Sequence, residues 1–188
     1  MKKIRILAVS GSLRERSFNA ALLKAAQKLV SGETEIAFSS PLDRLPFFNA
    51  DLDTGNPPES VRIWRGELKS ADAVLIASPE YAFAIPGVLK NALDWIVSSA
   101  ELYGKPVGLI NASPGYGGAS KVQEMLVQLL KVLTAGLNDE CLLRVASVNK
   151  KINAEGSITD LKTEEELRIC LRNLEKFARD SAESAFLK

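Results

Sequence analysis

The side chains best equipped for chemistry gather in three short loops. The first is Ser10-Gly11-Ser12-Leu13-Arg14-Glu15-Arg16-Ser17-Phe18-Asn19. It sets three neutral hydrogen-bonding groups, on Ser12, Ser17 and Asn19, and the Arg14 cation just ahead of a helical pattern. A helix start offers unpaired N–H groups and partial positive charge, which suits a phosphate. The chain has no G-x-x-x-x-G-K-[ST], and no G-x-G-x-x-G stands here. The donors therefore suit a terminal monophosphate better than a triphosphate or a pyrophosphate. The plainer alternative is a Ser/Asn-capped turn with Arg14 and Arg16 in solvent.

The second loop, Ser78 to Gly87 (SPEYAFAIPG), follows a short apolar run and carries two aromatics. A planar ligand would pack here and bond the backbone. Alternatively, Tyr81 and Phe83 cover the sheet edge. Glu80 has the chemistry of a general acid or base, but a lone loop carboxylate is more often solvated or caps a helix. The third loop, Ala112 to Ala119 (ASPGYGGA), has three glycines in four residues, which lets backbone amides approach a ligand closely. It is not a dinucleotide fingerprint: the third glycine would fall at Ser120, and the motif follows the fourth strand rather than the first. A flexible tight turn is the competing reading.

Composition narrows the chemistry further. The chain has 188 residues, 24 Lys plus Arg against 23 Asp plus Glu, two cysteines and no histidine. Imidazole triads, H-E-x-x-H zinc sites and cysteine clusters are excluded, and no metal is expected. Net charge of +1 argues against general nucleic-acid binding. The apolar run after the basic Met1-Lys2-Lys3 start is too short for a signal-peptide core, and nothing approaches a membrane span. A soluble cytoplasmic protein without membrane or nucleic-acid partners is expected. Cys141 and Cys170 fall on apolar stretches and read as packing residues.

Regular elements must hold the loops. Short apolar runs at 4–10, 34–39, 73–78, 107–112 and 141–147 read as strands. Amphipathic stretches alternate with them: Phe18 to Leu29, residues 60–70, a helix starting at Pro86 with Leu89, Leu93 and Ile96 on its face, Val122 to Leu133, and a last helix opened by the capping box Thr163-Glu164-Glu165-Glu166 and running to about Ala182. A loop with four of the eight prolines spans residues 40–60. This alternation predicts an α/β doubly wound parallel sheet with helices on both faces, a single domain over residues 1–188. Ligands bind such folds beyond the carboxyl ends of the strands, where all three loops project. Val88, Ala92 and Trp95 on the third helix, with Met125 and Val132 on the fourth, form second apolar stripes that read as an interface between copies or as core.

Three motifs in this chain resemble the NADPH-dependent FMN reductase family, which includes quinone, azo-dye and chromate reductases. They are Gly11-Ser-Leu-Arg-x-x-Ser-x-Asn19, Ser78-Pro-Glu-Tyr-x-x-x-Ile-Pro-Gly-x-Leu-Lys-Asn-Ala-Leu-Asp-Trp95 and Ser113-Pro-Gly-x-Gly-Gly118. The segment Leu45 to Asp51 is similar to the family's loop after strand two. The resemblance runs from Ile4 to about Val148. It implies a flavodoxin-like five-stranded sheet of order 2-1-3-4-5, with FMN at the carboxyl edge. Ser12, Arg14, Ser17, Phe18 and Asn19 would hold the phosphate. Pro79, Glu80, Tyr81 and Ala82 would border the isoalloxazine ring, largely through backbone, and Ser113, Gly115, Gly117 and Gly118 would close its other side. Members commonly read S-x-G-x-x-G-G-x-R at the third loop. Here the turn is one residue shorter, and Ser120-Lys121 follows.

The resemblance implies an oxidoreductase with no catalytic side chain of its own. NADPH, or NADH, passes a hydride to flavin N5, and a quinone, flavin, azo compound or metal oxyanion collects the electrons. A homodimer or homotetramer is implied. Two alternatives remain: a flavodoxin-type electron carrier, which the charge of +1 and basic first loop do not favour, and a flavin-binding protein without turnover, which only the altered third loop favours.

Overall fold

The structure is a computed structural model that describes residues 3–186; Met1 and Lys2, the start of the basic N-terminus, lie outside them. Strands β1 (Ile4–Ser10), β2 (Thr34–Phe38), β3 (Ala73–Ser78), β4 (Pro106–Ala112) and β5 (Gly136–Val145) form one parallel sheet in the order β2-β1-β3-β4-β5. The helices are α1 (Phe18–Leu29), α2 (Glu59–Ser70), α3 (Gly87–Asp94), α4 (Ser120–Val132) and α5 (Leu161–Phe186). Every residue of β3 and β4 is buried, as a strand covered on both faces requires.

Alternate residues feed two cores. Leu7, Val9, Val74, Ile76 and Leu109 pack against Trp64, Leu68, Leu89 and Leu126 of α2, α3 and α4. Ile6, Ala8, Leu75 and Ile110 pack against Leu22, Leu23, Leu171 and Leu174 of α1 and α5. Cys141 and Cys170 lie buried in the second core. Desolvation pushes their thiols up to about 11 and about 12.

Four differences from the sequence reading bear on how the elements pack. β5 begins at Gly136, five residues before Cys141, because its first half is a polar edge that hydrophobicity does not mark. α3 ends at Asp94, so Ile96 is buried from the turn beyond it. α5 starts at Leu161, and its cap is Asp160, whose Oδ2 accepts from Thr163 N at 2.9 Å and from Thr163 Oγ1 at 2.6 Å. Thr163 is the buried third helical residue rather than the cap.

The fourth difference concerns the second stripe of α3. Ala92 and Trp95 are fully buried and Val88 is packed against the same core, so that half of the expected interface is core. The segment after β2 covers it. Pro46 O accepts from Trp95 Nε1 at 2.8 Å and Asn91 Nδ2 at 3.0 Å, Phe48 N donates to Asn91 Oδ1, and the Phe48 ring meets Trp95 edge-on at 5.1 Å. Arg65 braces the same segment: it bonds Trp95 O and Asp53 Oδ1, and Ser98 Oγ donates to Asp53 Oδ2 at 2.5 Å. Met125 and Val132 of α4 stay exposed. No helix among the described residues is long and apolar enough to cross a membrane.

Candidate active site

β1, β3 and β4 are consecutive in the sheet, so the loops leaving their carboxyl ends share one rim. The chain reverses direction across the sheet between β1 and β3, the place where such sheets receive ligands. Gly11 keeps this loop close to its neighbours: a Cβ on it would stand 3.0 Å from Ser78 Oγ and 3.1 Å from Leu89 Cδ2, so either side chain would have to give way.

In the first loop, Ser12 and Ser17 are nearly buried and Arg14 and Arg16 are exposed. Ser12 Oγ accepts from Arg14 N, and Ser17 Oγ caps α1 by accepting from Ala20 N. Among the described residues the backbone N–H groups of Phe18 and Asn19 have no acceptor, and neither guanidinium has an ion-pair partner. Donors and cations thus remain at the start of α1, as a phosphate requires. Asn19 is turned elsewhere. Its side chain is buried, with Nδ2 donating to Ala112 O and Oδ1 accepting from Ala112 N, both at 3.1 Å. It fastens the first loop to the start of the third.

The second loop turns back tightly. Tyr81 and Ala84 exchange both backbone hydrogen bonds, and Ala82 and Phe83 between them have φ of 50° and 59°. Two left-handed residues in succession make a turn that favours Asn-Gly, so this rim holds backbone strain. Phe83 is 76% exposed and Tyr81 47%, while Pro79 is buried. The Glu80 carboxylate caps α4: Oε2 accepts from Val122 N at 3.0 Å, supplying the partner that the cap residue Ala119 cannot. The capping alternative therefore holds, on the helix beyond the next strand.

The third loop is tied to the segment after β5. Ser147 N donates to Gly115 O, Val148 N to Ser113 O, and Gly115 N to Ser113 Oγ. Gly118 is left-handed at φ 57°, and a Cβ there would meet Ala146 N at 3.2 Å. Gly115 and Gly117 face open space apart from two serine hydroxyls, leaving a close approach available. Tyr116 is 92% exposed.

Sequence reasoning passed over Asn111. This fully buried residue at the end of β4 donates from Nδ2 to Ser78 O, and its Oδ1 is unpartnered among the described residues. The signal was an amide inside the otherwise apolar run Val107 to Ala112. FMN brings a phosphate for the start of α1, a plane for the aromatic second loop, and ribityl and ring donors for an unsatisfied acceptor. The residues present fit it.

Residues 4–149 match the family model described as NADPH-dependent FMN reductase. An NAD(P)H-dependent FMN reductase of Pseudomonas aeruginosa is 33% identical over 178 residues, 94% of this chain and 96% of that one. An NADPH:quinone oxidoreductase of Arabidopsis thaliana is 37% identical over 183 residues, 93% of this chain and 91% of that one. Among solved structures, the flavoenzyme NAD(P)H:(acceptor) oxidoreductase FerB from Paracoccus denitrificans superposes with a TM-score of 0.81 at 33% identity, covering 94% of this chain and 98% of that one.

Proposed function

The chain belongs to the NADPH-dependent FMN reductase family, and from that membership we propose how its own residues serve the reaction. It is an oxidoreductase that uses FMN and NAD(P)H. The reading is that residues 1–188 work as one FMN-binding domain that reduces a small acceptor of the quinone, flavin, azo or metal-oxyanion class. The observation that carries it is the single rim of three loops at the switch point of the sheet, the first tied to the third through Asn19 and the second to the start of α4 through Glu80.

In this reading Arg14 and the free N–H groups of Phe18 and Asn19 hold the phosphate, with Ser12 and Ser17 shaping the loop. Asn19 positions that loop rather than touching the phosphate through its amide. Pro79, Tyr81 and Ala82 border the flat ring with backbone and Tyr81 side chain, while Glu80 acts through α4. Gly115, Gly117 and Gly118 let the third loop approach closely, with Ser113 bracing it. When bound, FMN supplies the two-electron chemistry, taking reducing equivalents from NAD(P)H and passing them on. No side chain of the chain is assigned a proton in this step.

A homo-oligomer belongs to the same reading, supported by the exposed Met125 and Val132 of α4. Light scattering of the purified protein tests it. Cytoplasmic residence is supported by two buried free thiols and the use of NAD(P)H.

The decisive experiment mixes FMN-loaded protein with NADPH without oxygen. Bleaching of the yellow colour within seconds, restored by a quinone, is expected. Yellow protein that NADPH leaves unbleached would instead make it an electron carrier, and protein that binds no FMN would end the flavin reading.

A further inference from the structure

A groove of about 440 Å³ runs along the flank of α1 beside the first loop. Its floor is Phe18, Ala20, Ala21 and Ile152, and its outer wall is the turn 153–156. That turn is firmly built. Ile152 bridges to Ile158, Asn153 N donates to Ser157 O, Gly156 N to Asn153 O, and Ser157 N to Asn153 Oδ1. Gly156 is left-handed at φ 81° and faces Ala21, where a Cβ would come within 3.6 Å.

The cations of this groove are Arg14, Arg16 and Lys24, all exposed and none in an ion pair among the described residues. Glu15 and Glu155 also line it, yet neither pairs with them. Three cations against two carboxylates leave the lining with a positive balance, and none of the three cations is committed to an ion pair among the described residues, so an anion can recruit them. Arg14 also lines a smaller cavity of about 360 Å³ beside Gly11, Tyr81 and Pro86, so the groove adjoins the ring-binding rim.

A phosphate held by the N–H groups of Phe18 and Asn19 does not account for Lys24. Lys24 lies six residues beyond Phe18, about 9 Å along the helix at 1.5 Å per residue. The flank therefore offers a second anion position, with an apolar floor between two walls beside it. The geometry points to the 2′-phosphorylated adenosine end of NADPH as its occupant. The adenosine lies between α1 and the 153–156 turn, and Arg16 and Lys24 close on the 2′-phosphate. This rests on the NAD(P)H-dependent reading above, and it makes these two residues the determinants of NADPH over NADH.

The test has a binding arm and a kinetic arm. In the first, adenosine 2′,5′-bisphosphate and 5′-AMP are titrated into the purified protein by calorimetry. The bisphosphate should bind at least about tenfold tighter than 5′-AMP, the scale of a charge-assisted contact. Arg16→Ala with Lys24→Ala should remove that difference while the melting temperature holds. Ala20→Trp, which fills the groove and leaves its charges in place, should weaken the bisphosphate as well. In the second arm the double variant should raise KM for NADPH about tenfold and leave KM for NADH unchanged. Equal binding of the bisphosphate and 5′-AMP by the unaltered protein would overturn the assignment, as would a double variant with NADPH KM within twofold. Failure to oxidise either nucleotide would sink the NAD(P)H-dependent reading instead, and the calorimetry would still decide the groove.

Discussion

Asn19 meets the backbone of Ala112 twice, donating to its carbonyl and accepting from its N–H, and so joins the start of α1 to the end of β4. Both partners are buried. Asn19→Ala leaves a buried N–H and C=O without partners, a loss of about 2 kcal/mol. A lower denaturation midpoint with unchanged m-value is expected, together with weaker FMN retention. An unchanged midpoint would show that the bracing is dispensable.

Glu80 separates two roles by one substitution. Glu80→Gln keeps an acceptor for Val122 N but removes the negative charge at the start of α4, which should cost about 0.5 kcal/mol of stability and less than tenfold in kcat. A general acid or base would cost about a hundredfold or more in kcat. Steady-state rates beside a melting curve distinguish the two.

The turn at Ala82 and Phe83 invites a stabilising change. Both residues are left-handed and exposed, and Phe83 offers little packing to lose. Ala82→Asn with Phe83→Gly matches the turn chemistry and should stabilise the apo protein by about 1 kcal/mol. A lower melting temperature would contradict the strain. A stabilised variant with a higher KM for acceptor would indicate that the strained aromatic tip serves the reaction.

Acid sensitivity should trace in part to Asp53. The Ser98 hydroxyl first, then the Arg65 guanidinium, hold its carboxyl below the usual carboxylate range by hydrogen bonding. A group with a depressed native pKa contributes fully above its unfolded value of about 3.9, and that contribution drains as pH falls through the lower native value. Asp53→Asn should therefore be less stable than the parent at neutral pH and converge with it in strong acid. Parallel stability curves between pH 2 and 7 would refute this.

How much of this was legible beforehand depends on where the information sits. β3 and β4 were plain because strands covered on both faces leave continuous apolar runs. The first half of β5 was hidden because Asn138, Asp139 and Glu140 line an edge that solvent reaches. Phosphate donors could be named from residue type, but the inward turn of Asn19 depends on how α1 sits against β4. Sequence leaves Trp95 open between interface and core because its cover comes from Pro46 and Phe48, nearly fifty residues earlier. Local pattern carries periodicity, whereas a cap or cover drawn from a distant segment leaves no periodic trace.

The polar half of β5 has a bearing on how copies of this chain can meet. Among the described residues β5 borders the sheet, pairs with β4 alone, and slips register between Val107 and Leu109 where Asn138, Asp139 and Glu140 pass by. A kinked, acidic border is a poor template for another chain's backbone, because a sixth strand would find its ladder interrupted and carboxylates facing it. Growth of the sheet from one molecule into the next is thereby discouraged along this border. Association is steered toward helical faces, and a partly unfolded chain is less prone to seed fibrils from this end.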